Sequence, residues 1–341
     1  MEFLYEYGLF TAKTLTIVLS LVIGLILVIS MASRNRDERD AHIEIRRLNE
    51  AYEDTKSVLK QFMANKQQAK QLQKEQKQKD KKEKKGNREK RPRVFVLDFH
   101  GDVKASAVSH LREEVSAVLM IAEDGDEVFV KLESAGGMVH GYGLAASQLQ
   151  RLRHAKIFLT VSVDKVAASG GYMMACIADR IIAAPFAIVG SIGVVAQLPN
   201  FHRLLKKHDV DFELITGGEY KRTLTVFGEN TDKARAKFKE DIDDTHELFK
   251  TFVKEHREVV DIAQVATGEH WFGRRALDLK LVDEIQTSDD YLLSKYQDHD
   301  LYQITHKSKK PLSSRIAGFA QGVADKLLLS WSTRHREREL L

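Results

Sequence analysis

The chain has 341 residues, enough for one large domain or two smaller ones with a real core. Its formal net charge of +4 conceals a segregation: residues 66–93 hold thirteen Lys or Arg against four Asp or Glu, so the remainder is net acidic. That excludes reading nucleic-acid binding from the overall charge, and the single cysteine, Cys176, excludes any intramolecular disulfide.

Taken in chain order, residues 14–32 read TLTIVLSLVIGLILVISMA, nineteen residues without a charge and about the length that crosses a hydrocarbon core. The acidic leader at Glu2 and Glu6, the length of the run, and Arg34 and Arg36 directly after it favour an uncleaved anchor over a signal peptide. Residues 1–33 are therefore expected to form a transmembrane segment in contact with lipid. Lys13 stands alone before it, whereas Arg34, Arg36, Arg39, Arg46 and Arg47 follow, so the positive-inside rule puts the bulk of the chain in the cytoplasm. The interleaved Asp37, Glu38 and Asp40 weaken that asymmetry and leave a periplasmic placement open.

Residues 34–92 read as a charged helical linker. Ala41, Ile45, Leu48, Tyr52, Thr55, Leu59 and Phe62 recur at spacings of four and three, an a/d seam that predicts either a short coiled coil or a solvated spacer helix. Gln and Lys then dominate through Gly86 and Pro92, a composition that cannot bury a core and reads as a tether, able to lie near anionic headgroups.

The pattern becomes globular at Val94. VFVLDFHG, EVFVKLES and KIFLTVSV read as strands, with VSHLREEVSAVLMIA and VHGYGLAASQLQRLRHA as helices between them. Such alternation predicts βαβ units and a mostly parallel sheet, which places ligands at the carboxyl ends of its strands. Two loops fall there: SAGGM after the second strand and KVAASGGY after the third. The apolar run that follows, residues 166–195, is no second membrane span, because Asp179 and Arg180 interrupt it and Pro185, Gly190 and Gly193 cut it into strand-length pieces. It predicts a short helix from Ser169, then strands RIIAA and AIVGSIGVV.

Ser169 thus opens a helix directly after a strand. Serine there is commonly an N-cap. Gly170 and Gly171, however, leave amide groups at a positive helix end where an oxyanion would be stabilised, and Gly136 and Gly137 offer the same from the neighbouring strand. A nucleophilic serine needs a base. None of His140, His202 or His208 occupies a spacing that marks a triad, whereas a desolvated lysine can serve. Lys221, in LITGGEYKRT, and Lys165, four residues before Ser169, are the candidates, and local sequence alone does not separate them.

The segments ESAGGMV, VDKVAASGGYMMACIADRIIAAPFAIVGSIGVV, GEYKR and FGRRALDLKLVDEI together resemble the signal-peptide-peptidase (SppA) family of serine peptidases over residues 93–288. The length fits a single-domain member behind an anchor. The resemblance implies an α/β ClpP/crotonase-like fold over residues 93–290, with residues 291–341 as a C-terminal extension. It also implies Ser169 as nucleophile, Lys221 rather than Lys165 as base, and Gly136, Gly137 and Gly170 as the oxyanion-hole residues. Ile188, Val189, Ser191 and Ile192 would flank a bound peptide or protein substrate, no metal or cofactor would be needed, and chains would assemble into homo-oligomeric rings at a bacterial inner membrane, with no nucleic-acid partner. Two positions depart from the usual pattern: Ala135 stands where proline is common and Lys280 where glycine is common. Crotonase-like acyl-CoA chemistry and a catalytically silent membrane scaffold are the competing readings. In the extension, Ile316, Phe319, Val323, Leu327 and Trp331 share one helical face, expected to pack on protein.

Overall fold

The computed structural model describes residues 5–11, 13–14, 16–17, 20, 24, 42–65, 67–68, 71 and 91–307. Most of the expected anchor, the basic tether and the amphipathic tail helix lie outside these residues. Among the described residues no helix is long and apolar enough to cross a membrane. The chain separates into two units, Met1–Glu44 with His306–Leu341, and Ile45–Thr305. In the first, residues 5–11 are helical and Lys307 pairs with Glu44.

The second unit is an α/β fold. Among the described residues the strands are β1 (His42–Arg47), β2 (Arg93–Gly101), β3 (Glu127–Ser134), β4 (Phe158–Val163), β5 (Val166–Ala168), β6 (Arg180–Ala183), β7 (Ile188–Gly190), β8 (His270–Phe272), β9 (Glu284–Ile285) and β10 (Asp300–Lys307). They run in the order β1-β10-β2-β3-β4-β6-β9, and β5, β7 and β8 branch from the carboxyl end of β3. The pairings from β10 through β9, and those of β5 with β3 and β7, are parallel; β7 with β8 is antiparallel. A parallel sheet covered on both faces demands continuous apolar runs. Val94 to Leu97 and Val128 to Val130 supply them, and all are essentially inaccessible to solvent.

The helices are α1 (Leu48–Met63), α2 (Val108–Ile121), α3 (Val139–His154), α4 (Gly170–Ala175), α5 (His202–Lys207), α6 (Asp232–His256), α7 (Ile262–Val265), α8 (Gly273–Asp278) and α9 (Ser288–Lys295). α2 follows β2 and α3 follows β3, as the alternating pattern predicts. Two of the longer connections are closed by N-caps: Thr231 Oγ1 accepts from Ala234 N–H at the start of α6, and Thr287 Oγ1 from Asp290 N–H at the start of α9.

Both boundaries of the expected globular region move outward. Residues 45–63, expected as linker, belong to the compact unit: Ile45 lies in β1 rather than a helix, and Leu48 and Tyr52 of α1 pack against the buried cluster that includes Val94, Val96, Tyr291 and Leu301. The expected seam packs on this chain's own core at its start and is exposed at Leu59 and Phe62. Beyond residue 290, residues 300–303 of β10 pair with Arg93–Val96 of β2, so the expected extension contributes a strand to the main sheet.

Candidate active site

The site forms where three strand ends meet. Ser134, the last residue of β3, is in register with Ala167 of β5, and Ala168 of β5 with Gly190 of β7. The loop after β3, the turn after β5 and the end of β7 are therefore neighbours. Ser169 sits between β5 and α4 with φ 52° and ψ −119°. A side chain at such positive φ costs on the order of 1–3 kcal/mol, so the surroundings must impose it. They do so through Ser169 N–H, which donates to Gly190 O at 2.8 Å, and Met173 N–H, which donates to Ser169 O at 3.0 Å. The half-buried hydroxyl caps no amide, which removes the plain N-cap explanation for this serine.

Gly136 has φ +89°, and a Cβ there would stand 2.7 Å from Ser169 Cβ and 2.8 Å from Gly170 N. Only glycine allows this loop to lie against the serine. A Cβ on Gly137 would strike the Val103 carbonyl, and one on Gly170 the ring of Tyr142. The structure thus brings Ser169, Gly136 and Gly170 together. It also distinguishes the amides of the first pair: Gly136 N–H donates to Ser134 Oγ at 3.0 Å, whereas Gly137 is exposed and its N–H makes no hydrogen bond among the described residues.

The two candidate bases fare differently. Lys165 Nζ is paired with Glu133 at 2.9 Å and is largely exposed, a solvated ion pair. Lys221 lies in an exposed turn, its N–H donating to Gly218 O at 3.3 Å, and no hydrogen bond joins it to Ser169 among the described residues. Residues 211–216, directly before this turn, form no strand. The loop that carries it is anchored at its base, where Phe227 packs on Phe201 and Phe212 and Asn200 Nδ2 donates to the carbonyls of Thr225 and Gly228. Neither His140, exposed at the start of α3, nor His202 bonds to Ser169.

The expected groove residues divide. Val189, in β7, and Ile192, just beyond it, are fully buried in the core, so neither side chain is open to a bound peptide; β7 itself is paired on both edges, by β5 and by β8. Ile188 is half-buried within that ladder, and Ser191, half-buried at φ 53°, is the one of the four positioned after the ladder ends with polar surface to offer. The predicted strand through Val195 stops at Gly190.

The single cysteine is structural. Burial pushes the Cys176 thiol up to about 12, so it remains an unreactive core thiol. Among the described residues no cluster of His, Cys, Asp or Glu could hold a metal ion. Two residues passed over in the sequence belong to the site: Ser134, whose Oγ is 2.6 Å from Tyr142 Oη, and Tyr142 itself, both buried. The only signal for them was position, a serine opening the glycine loop and a tyrosine one turn into the next helix.

With this geometry in view, the comparisons with known proteins are direct. Residues 2–149 match the peptidase family S49 N-terminal pattern and residues 151–301 match peptidase family S49. The chain is 47% identical to a probable protease SohB of Haemophilus influenzae, over 98% of this chain and 97% of that one. It is 50% identical to a probable protease SohB of Buchnera aphidicola, over 96% and 97%. A solved membrane-bound stomatin-specific protease with a bound substrate peptide aligns over 68% of this chain and 99% of its own, with a TM-score of 0.42 and 12% identity.

Proposed function

Since this chain belongs to peptidase family S49, we propose that it is a membrane-anchored serine endopeptidase with Ser169 as nucleophile and Lys221 as base. The observation that carries the reading is the conformation of Ser169, held at positive φ between the Gly136 loop and the Gly170 amide with its hydroxyl uncommitted. Helix-capping or packing gives no reason to strain a serine in this way.

In this mechanism Ser169 Oγ attacks the substrate carbonyl as its proton passes to neutral Lys221. The amides of Gly137 and Gly170 stabilise the oxyanion, and the lysine returns the proton to the departing amine. Water then attacks the acyl-serine, the proton again passing through Lys221. Apolar segments, such as signal-peptide remnants or fragments of membrane proteins, are the proposed substrates, presented to a site that residues 14–32 hold at the membrane.

A lysine acts as base only where burial disfavours its ammonium form. Lys221 is exposed in the single chain, which supports assembly into a homo-oligomer whose next copy covers this turn. Labelling of the detergent-solubilised full chain with a fluorophosphonate tests the reading. Wild type is expected to label at Ser169 and to cleave casein; Ser169→Ala is expected to do neither, and Lys221→Ala to lose cleavage. Cleavage that survives Ser169→Ala would sink the serine mechanism.

A further inference from the structure

We infer that Ser134 and Tyr142 are positioning residues of the oxyanion hole, fixing which amide of the glycine loop faces the reacting carbonyl. The inference rests on the serine-peptidase reading of Ser169 and concerns residues that touch neither substrate nor nucleophile through their polar atoms.

The hydrogen bonds have one consistent direction. Tyr142 carries a single hydroxyl proton, and its oxygen lies 2.8 Å from the Asp102 carbonyl, which can only accept. The phenol therefore donates to Asp102, and at the 2.6 Å contact the Ser134 hydroxyl must donate to the Tyr142 oxygen. Ser134 Oγ is left with lone pairs to accept, and Gly136 N–H fills one at 3.0 Å. On the other side of the loop, Met138 N–H donates to Val103 O at 2.8 Å. Both amides flanking Gly137 are thus committed away from the cleft, and the Gly137 N–H is the one left to serve an oxyanion.

Tyr142 also reaches the second half of the hole. Its ring backs Gly170, where any Cβ would collide with it, and Gly170 follows Ser169 directly. The hydroxyl holds the Gly136–Gly137 loop while the ring supports the Gly170 amide, so one buried side chain sets the distance between the two donors. Gly101 makes the space, since a Cβ there would overlap both Tyr142 Oη and Ser134 Oγ. Burial raises the phenol's pKa, a shift that the Ser134 contact opposes, and this keeps the proton in place as the donor to Asp102.

The test uses the full chain in detergent, p-nitrophenyl butyrate as an acylating substrate, and acetyl-Leu-Leu-leucinal as a reversible adduct former whose oxygen occupies the oxyanion site. Active sites are counted by the fluorophosphonate end point and stability by thermal unfolding. Tyr142→Phe keeps the ring and removes the hydroxyl. It is expected to lower kcat per active site about 10-fold and weaken the aldehyde by a similar factor, with KM within about twofold; losing a donor outright costs about 10²–10³. Ser134→Ala, which strips the acceptor from Gly136, is expected to do the same more strongly and carries the test if Tyr142→Phe does not fold. A merely structural role would lower the melting temperature or the count of active sites while leaving kcat per site and aldehyde affinity unchanged, and that result overturns the inference. If wild type itself fails to label at Ser169, the peptidase reading fails instead; if wild type labels and both variants match it per site, the positioning role alone fails.

Discussion

Ser169 and Gly136 constrain each other across a gap with no room for a methyl group. An alanine at 136 would meet a strained φ and would push on Ser169 Cβ and the Gly170 amide together. Gly136→Ala is therefore expected to abolish fluorophosphonate labelling, by about 100-fold or more, in line with the loss of an oxyanion donor. Circular dichroism should still report a folded chain, since the clash is confined to one loop; a variant that labelled at the wild-type rate would refute the packing argument. The glycine pair and the serine were both legible in the sequence as residues at strand carboxyl ends. Their contact was not, because it depends on β5 pairing with β3 at Ser134↔Ala167, after β4 has left that edge, and a three-residue strand carries no periodicity of its own. Ser134 and Tyr142 stayed hidden for a related reason: a hydroxyl pair becomes informative only when burial leaves it no water to bond.

At the scale of elements, α1 shows how a correct pattern can point to the wrong partner. The heptad spacing of Leu48 and Tyr52 is real, but the face it makes docks on the chain's own sheet and α9 rather than on a second helix. Asn49 explains why. Buried at the start of α1, it donates through Nδ2 to the carbonyls of Tyr296 and His299, and its Oδ1 accepts from Leu301 N–H, each at 2.8 Å. Arg47 adds an ion pair to Asp300 at 3.0 Å. A polar residue next to a d position reads as a solvated heptad face, so nothing local announces a plug that satisfies three backbone groups some 250 residues away. Asn49→Ala leaves those groups without partners, and roughly 1–3 kcal/mol of stability is expected to go with them. Urea unfolding measures the loss, and limited trypsin digestion should show earlier cleavage after Lys56 and Lys60. No change in either would mean that α1 is not held by this contact.

At the scale of the whole molecule, stability and activity respond to different surroundings. Near the start of the sheet, Asp126 is buried, which pushes its carboxyl pKa up, but hydrogen bonds from Arg93 and the Glu123 amide outweigh that and hold it below the usual range. A carboxylate depressed in the folded state adds stability above its unfolded pKa of about 3.9 and loses it as pH falls through the folded value. Acid unfolding should therefore begin below about pH 4, and an Asp126→Asn variant should show less of this dependence; equal acid slopes would contradict it. On the proposed mechanism, activity depends instead on the turn that carries Lys221. Val210, Leu214 and Tyr220 are each about half exposed and Ile215 is 92% exposed, a run of apolar side chains around a lysine that must lose water to act as a base. A second copy seated on this turn would bury the apolar run and desolvate the lysine in one step, which is why assembly and catalysis are expected to fail together. Sedimentation and cross-linking of the solubilised full chain should show an oligomer, and Ile215→Asp should both dissociate it and remove most casein cleavage while leaving the fold intact. An active monomer, or an Ile215→Asp variant that stays assembled and active, would break that link and require substrate alone to cover Lys221.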